Sequence, residues 1–66
     1  MMEQIPRRLK LYREKAGLTL AAASDALGIH ILDLVDYEKG KKLPDMRIIK
    51  KMSKLYDTTC DELLIF

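Results

Sequence analysis

Few side chains in this sequence could carry out chemistry, and they are not grouped. The chain has one histidine, His30, and one cysteine, Cys60. A structural zinc site takes four ligands, mostly Cys and His, and a catalytic nucleophile needs an adjacent base. A lone cysteine forms no internal disulfide, and we interpret Cys60 as a small buried apolar side chain. We therefore predict no enzymatic activity, no metal site and no cofactor.

The clearest candidates for a functional role are basic side chains that could bind phosphate. Lys39, Lys41 and Lys42 lie within four residues, and Arg47 follows shortly after them. Such a cluster is typical of a backbone contact to nucleic acid. The alternative is a solvated face that only provides solubility, and both interpretations stay open for the three lysines. Solvation is favoured for a second group: Lys50, Lys51 and Lys54.

Charge is distributed unevenly along the chain. Residues 39–54 carry seven basic side chains and one acidic one, whereas residues 19–38 carry four acidic side chains and no Lys or Arg. The net charges of these segments are +6 and −4, within a total of +2. Positive charge normally lies where phosphates approach, so residues 39–54 favour a phosphate partner and residues 19–38 do not.

Short helices must position these side chains. Apolar residues recur at three- and four-residue steps from Ile5 to Ala16 and from Met46 to Tyr56, which predicts two amphipathic helices. Glycines and capping residues mark the ends of three more helices. No segment shows the alternation of apolar and polar residues that is typical of a β-strand. The last helix begins at a capping box, in which Thr59 and Glu62 satisfy each other's backbone N–H groups. The five predicted helices cover residues 5–16, 19–27, 31–39, 44–56 and 59–65.

Length and composition limit the class of protein. Sixty-six residues predict a single domain over 1–66, and 48% hydrophobic with 33% charged residues is typical of a globular chain. No apolar run is longer than four residues, the length of the run at 63–66, which is far short of the roughly 20 residues that cross a bilayer. We expect a cytoplasmic protein that does not act at a membrane.

The segment from Gly17 to Pro44 resembles the Cro/CI, or XRE-type, helix-turn-helix family. The resemblance is carried by Gly17-Leu18-Thr19, Leu27-Gly28-Ile29, Tyr37-Glu38-Lys39-Gly40-Lys41 and Pro44. Flanking matches extend it to residues 5–64: Arg13-Glu14-Lys15, Leu55-Tyr56 and Asp61-Glu62-Leu63-Leu64. It implies an all-α, lambda-repressor-like DNA-binding domain with its helix-turn-helix at helices 2 and 3.

The same resemblance implies a mechanism. Helix 2 crosses the DNA backbone, helix 3 lies in the major groove, and two copies act on a two-fold symmetric operator of double-stranded DNA. Arg13 and Glu38 occupy the positions of an ion pair in the family. We interpret this pair as a structural clamp, because cutting it would leave one buried charge alone.

The family's DNA-contacting positions correspond to Thr19, Leu20, His30, Ile31, Leu32, Asp33, Asp36, Lys39, Lys41, Lys42 and Arg47. Several of them depart from the family's pattern. Leu20 stands where the family usually has Gln. Ile31 and Leu32 can touch a thymine methyl but form no hydrogen bond to a base. Asp33 and Asp36 can accept only from the cytosine amino group, and near phosphates they are repulsive.

Apolar side chains in the same region could form a protein-binding patch. In the family's geometry Leu20, Ile31, Leu32 and Val35 face outward, and exposed patches of this kind often mark partner sites. The alternative is that Leu20 or Leu32 turns inward, into the space that the small side chain of Ala23 leaves under helix 2.

The end of the sequence is a second candidate interface. Leu64, Ile65 and Phe66 close the chain, and leaving them all in water is unfavourable. The last helix and the loop before it often form the dimer interface in the family. We therefore predict a homodimer through these three residues, with Leu55 beside them.

Two functions from different classes follow from the sequence. The first is a transcriptional regulator, a repressor in the family's usual form, that binds DNA as a homodimer. The second is a protein-interaction module that keeps the helix-turn-helix fold and binds a protein partner through helix 3. The family resemblance favours the first, and the acidic, aliphatic character of residues 19–38 favours the second.

Overall fold

Five α-helices follow one another along the chain in the structure, a computed structural model that describes residues 4–64. They are α1 (Gln4–Lys15), α2 (Leu20–Leu27), α3 (Ile31–Lys39), α4 (Met46–Leu55) and α5 (Cys60–Leu63). No residue between 4 and 64 lies in a β-strand. The predicted all-α, five-helix class with a helix-turn-helix at α2 and α3 is confirmed.

Side-chain caps begin the four later helices. Thr19 accepts a hydrogen bond from the backbone N–H of the third residue after it, and Asp45 and Thr59 do the same at α4 and α5. These three donor–acceptor distances are 3.0–3.1 Å. Each cap satisfies a backbone N–H that has no partner within its own helix, so short polar residues fix the starting points of these helices.

A glycine ends α3 where the chain passes close to α1. Gly40 has a positive φ of 77°, a conformation that residues with a Cβ adopt only with strain. A Cβ at this position would lie 3.2 Å from Cγ of Pro6, in the first turn of α1. The glycine therefore ends α3 and also allows α1 and the α3–α4 turn to approach each other.

The core is a single apolar cluster to which every helix contributes. Helix α1 packs against α3 and α5, α2 packs against α3 and α4, and α4 packs against α5. Ala23 is fully buried, so the space beneath α2 is closed around a small side chain. The buried apolar residues are Ile5, Leu9, Ala23, Leu27, Leu34, Ile49, Met52, Tyr56 and Leu63.

Three details of the predicted helices are wrong. Ala16 lies beyond the end of α1 and is exposed, and Met46 is exposed at the first position of α4 instead of facing the core. Helix α5 ends at Leu63, earlier than predicted, with Leu64 as its C-cap. Ile65, which the prediction placed in this helix, lies outside the described residues. No helix within residues 4–64 is long and apolar enough to cross a membrane.

Only half of the predicted capping box forms among the described residues. Thr59 accepts from the N–H of Glu62, but the Glu62 carboxylate faces α1 instead of returning the bond. There Oε2 of Glu62 accepts from Nη2 of Arg8 at 3.0 Å and from the hydroxyl of Tyr12 at 2.9 Å. The nearby carboxylate raises the pKa of the Tyr12 phenol, chiefly through this hydrogen bond. Glu62 thus joins α5 to α1.

Candidate DNA-binding surface

The start of α2 lies at the edge of the candidate surface. Thr19 is exposed and uses its hydroxyl as the N-cap. Leu20 follows as the first residue of α2, and its side chain is half-buried against the core. Leu20 is therefore neither fully exposed, as the family's geometry implied, nor fully buried. Its aliphatic side chain offers no hydrogen bond to a phosphate or a base.

The turn between α2 and α3 fixes the tautomer of the His30 ring. Nδ1 of His30 lies 3.1 Å from the backbone N of Leu32 and caps α3. Because a backbone N–H can only donate, Nδ1 must accept, and the neutral imidazole carries its proton on Nε2. The exposed edge of His30 therefore presents a hydrogen-bond donor, the polarity that a phosphate oxygen or a guanine edge requires.

The outer face of α3 carries two exposed aliphatic side chains next to the turn. Leu32 is 64% exposed and Ile31 is 37% exposed, whereas Leu34 points into the core. Val35 is half-buried beside Leu20, and both line a shallow depression of about 150 Å³ between α1 and α3. The structure thus divides the four predicted patch residues into an exposed pair and a half-buried pair.

An ion pair lies along α3, between Asp33 and the following turn. Nζ of Lys42 is 2.5 Å from Oδ1 of Asp33, and the two side chains are 46% and 41% exposed. The same ammonium group lies 5.5 Å from the centre of the Tyr37 ring, one helical turn further along α3. Lys42 is therefore folded back onto α3. The hydrogen bond from Lys42 lowers the pKa of Asp33, so this carboxyl group stays ionised.

The other predicted phosphate-binding side chains are open to solvent. Lys39 and Lys41 are exposed and form no ion pair within residues 4–64. Arg47 is 90% exposed and lies 3.8 Å from the Asp45 carboxylate, at the start of α4. Asp36 is half-buried on α3. Lys39 and Lys41 thus lie at the C-terminal end of α3 and just after it, Arg47 lies in the first turn of α4, and α3 itself carries Asp33, Asp36 and Glu38.

A buried ion pair joins α1 to α3 beneath this surface. Nε of Arg13 lies 2.7 Å from Oε2 of Glu38, and Nη2 lies 3.0 Å from Oε1. Nη1 donates to the carbonyl oxygen of Leu18 at 2.7 Å. The two charged side chains are only 8% and 6% exposed. The hydrogen bonds to Glu38 raise the pKa of Arg13, so this guanidinium group stays charged, and the bidentate pair joins α1 to α3.

The candidate dimer surface is described only in part. Leu55 is half-buried near the end of α4, and Leu64 is half-buried after α5; both pack against the core on one side. Ile65 and Phe66, which the sequence placed in the same interface, lie outside the described residues. Within residues 4–64, no group of three or more His, Cys, Asp or Glu side chains could hold a metal ion.

Sequence inspection missed two contacts that shape this surface. The Arg8 side chain is bound by both the carboxylate and the backbone carbonyl oxygen of Glu62. Lys42 is held by Asp33 and Tyr37 instead of pointing outward. The four-residue spacing of Asp33 and Tyr37 on α3 was a usable signal, since it puts a carboxylate and an aromatic face on one side of the helix.

Comparison with known proteins identifies the class to which this surface belongs. A helix-turn-helix family model matches residues 9–63. The chain belongs to this family, in its XRE-type form, and the five-helix fold with α2 and α3 at its surface agrees with that assignment.

Named relatives come from the same family. The chain is 39% identical over 57 residues to the HTH-type transcriptional regulator AnsR and 40% identical over 58 residues to the HTH-type transcriptional regulator ImmR, both from Bacillus subtilis strain 168. These alignments cover 86% and 88% of this chain but 49% and 46% of the relatives, so the chain spans about half of their length. The uncharacterized HTH-type transcriptional regulator YazB of the same organism is 33% identical, over 86% of this chain and 83% of its own. No solved structure matches the chain.

Proposed function

We propose that this protein is a DNA-binding transcriptional regulator in which residues 1–66 form one domain. The observation that carries the proposal is the α2–turn–α3 unit, in which the first turn of α3 exposes Ile31 and Leu32 and the buried Arg13–Glu38 pair joins the end of α3 to α1. In this arrangement α2 crosses the DNA backbone and α3 enters the major groove. We propose a cytoplasmic location, because a transcriptional regulator acts on chromosomal DNA.

Phosphate contacts come from the basic end of α3 and from the start of α2. Lys39, Lys41 and Arg47 are exposed and carry no tight ion pair within the described residues. The first backbone N–H groups of α2, next to Thr19 and Leu20, add partial positive charge for a phosphate. These contacts provide affinity without sequence information.

Base contacts come from His30, the N-cap of α3, and from residues 31–36 of that helix. His30 offers a hydrogen-bond donor on Nε2, and Ile31 and Leu32 offer methyl groups that fit a thymine C5-methyl. Asp33 and Asp36 offer acceptors. This set differs from the amide and guanidinium side chains that commonly read bases. We therefore expect the preferred operator to contain thymines whose methyl groups contact the aliphatic side chains.

Two copies acting together would read a two-fold symmetric operator, because one short α3 reaches too few base pairs for a unique site. Leu55, the last residue of α4, and Leu64, the C-cap of α5, are both half-buried. We propose that these two residues, together with Ile65 and Phe66, form an isologous dimer interface.

The decisive experiment measures binding to duplex DNA by fluorescence anisotropy, first with random sequence at low and at near-physiological salt. We expect affinity to fall steeply with salt, because bound lysines release counterions from the DNA. Replacing Lys39 and Lys41 together by Ala should lower the log–log salt slope by about two. Wild-type protein that binds no duplex at low salt would reject the function.

A protein partner on α3 is the second candidate function, and one observation favours it. Leu32 is 64% exposed, and Ile31 is exposed beside it, in a part of the chain with a net charge of −4. Under this function Leu32→Ser abolishes capture of the partner and leaves DNA affinity unchanged. Under the DNA-binding function the same substitution changes the selected operator sequence at the thymine that contacts Leu32.

A further inference from the structure

Lys42 differs from its basic neighbours because two groups on α3 hold its side chain. Its ammonium group contacts the Asp33 carboxylate at 2.5 Å and lies 5.5 Å from the centre of the Tyr37 ring. Asp33 and Tyr37 are one helical turn apart, so the lysine side chain runs along α3. Lys41, its immediate neighbour, is exposed and forms no ion pair with the residues from 4 to 64.

The negative charge of Asp33 lies at a position where it would weaken the binding of α3 to DNA. It is the third residue of α3, in the turn that meets base edges when such a helix enters the major groove. A free carboxylate there would be repelled by the phosphates on both sides of the groove. Lys42 neutralises this charge locally while one oxygen of Asp33, Oδ2, forms no hydrogen bond with any described residue.

The remaining oxygen can only accept hydrogen bonds, and this restricts the bases that it can face. Cytosine presents the N4 amino donor in the major groove and no acceptor. Guanine and thymine present acceptors, and adenine places its N7 acceptor beside the N6 amino group. A fixed carboxylate oxygen therefore favours cytosine over the other three bases.

We propose, on the basis of the DNA-binding function proposed above, that Asp33 is a specificity-determining residue that selects cytosine at one position of each half-site, and that Lys42 is its positioning counter-charge instead of a phosphate contact. Lys42 keeps the Asp33 carboxylate oriented through Oδ1 and offsets its repulsion from the DNA backbone. Lys41 remains a phosphate contact. The two adjacent lysines thus have different roles.

The test begins with operator selection from a randomised duplex library for the wild type and for Asp33→Ala. We expect the wild type to select a cytosine that Asp33→Ala no longer requires, with a loss of about tenfold in discrimination at that position. We expect Asp33→Ala to bind random duplex more tightly than the wild type, because the variant has lost a negative charge near the phosphates.

A double-mutant cycle on the selected operator then separates the two lysines. Lys42→Met should weaken binding about tenfold when Asp33 is present and have little effect in the Asp33→Ala background, because its role is to offset that carboxylate. Lys41→Met is the matched control, with the same change in charge at the adjacent position. It should weaken binding equally in both backgrounds and lower the salt slope by about one.

Each result bears on the proposal in a defined way. Equal effects of Lys42→Met in both backgrounds, together with a reduced salt slope, would show that Lys42 is an ordinary phosphate contact and would overturn the proposal. An unchanged base preference in Asp33→Ala would overturn it as well. Failure of the wild type to bind any duplex would reject the DNA-binding function together with this inference, and that failure appears before any variant is made. Circular dichroism of each variant excludes loss of folding as the cause.

Discussion

Arg13 is the charged residue on which the position of α3 depends most. Its guanidinium group forms two hydrogen bonds with Glu38 and one with the carbonyl of Leu18, and it is almost excluded from water. Glu38→Gln leaves this positive charge buried without a counter-charge, so we expect a loss of about 3–5 kcal/mol in the free energy of unfolding, measured by urea denaturation. Glu62→Gln, which breaks the exposed pair with Arg8, is the control and should have a small effect. Equal losses in the two variants would contradict this account.

Tyr56 poses the opposite problem at the residue scale, a buried polar atom without a partner. Its hydroxyl group is buried and forms no hydrogen bond with any residue in the described range 4–64. Tyr56→Phe removes this unsatisfied group and keeps the ring, so we expect the free energy of unfolding to rise by about 1 kcal/mol. Thermal and urea unfolding at neutral pH measure the change, and a large loss of stability would show that the hydroxyl has a partner in solution.

The pH dependence of the same residue gives a second prediction. Burial raises the pKa of Tyr56 to about 12 from its ordinary value of 10.0. The folded state therefore holds this proton more tightly than the unfolded state. The contribution of this difference to the free energy of unfolding is fully present below pH 10 and is lost as the pH rises from 10 to 12. The wild type should lose more stability than Tyr56→Phe across this range, in parallel urea titrations. Parallel loss in the two proteins would contradict the burial of the phenol.

At the scale of the helices, local sequence signals predicted most of the architecture. Thr19 and Thr59 cap the helices that the sequence assigned to them, because a short polar side chain followed by helix-forming residues satisfies the first free N–H groups. Asp45 caps α4 in the same way, although the sequence placed it inside that helix. The capping box was half wrong for a physical reason. The Glu62 carboxylate binds Arg8, a residue 54 positions away, and no local pattern contains that contact.

The glycine at the end of α3 gives a prediction about helix packing. Gly40→Ala places a Cβ in a left-handed conformation and 3.2 Å from Pro6, so both backbone strain and the contact with α1 oppose it. We expect a loss of about 2 kcal/mol or more in the free energy of unfolding. Gly17→Ala is the matched control, with φ of 76° and open space around the added Cβ, and should cost only the backbone strain of about 1 kcal/mol. Equal losses would mean that Pro6 moves away without cost.

Side-chain positions on α3 were harder to predict than the helix itself. The sequence left the orientation of Leu20 open, and its half-buried position follows from how α2 packs against the core. The folding-back of Lys42 depends on the path of the α3–α4 turn, which has no regular structure. Such features follow from packing in three dimensions, so the sequence left them as alternatives.

At the scale of the whole molecule, the proposed dimer predicts concentration-dependent stability. If two copies associate through Leu55 and Leu64, mass action raises Tm as the protein concentration increases. Leu55→Ser should remove this dependence, whatever it does to the stability of the monomer, because it places a polar group in the interface. Leu11→Ser is the control, since Leu11 is an exposed leucine on α1 and is not one of the proposed interface residues. A Tm that does not change over a hundredfold range of wild-type concentration would contradict the dimer.

The separation of charge between residues 19–38 and residues 39–54 also has a consequence for kinetics. Opposite net charges on neighbouring parts of a small molecule create an electric dipole, and the field of DNA exerts a torque on it before any contact forms. The lysine-bearing side should therefore arrive first, and the acidic α3 should turn into the groove only afterwards. Most early encounters with DNA would then be indifferent to sequence, and the time spent at the operator would depend on that final rotation.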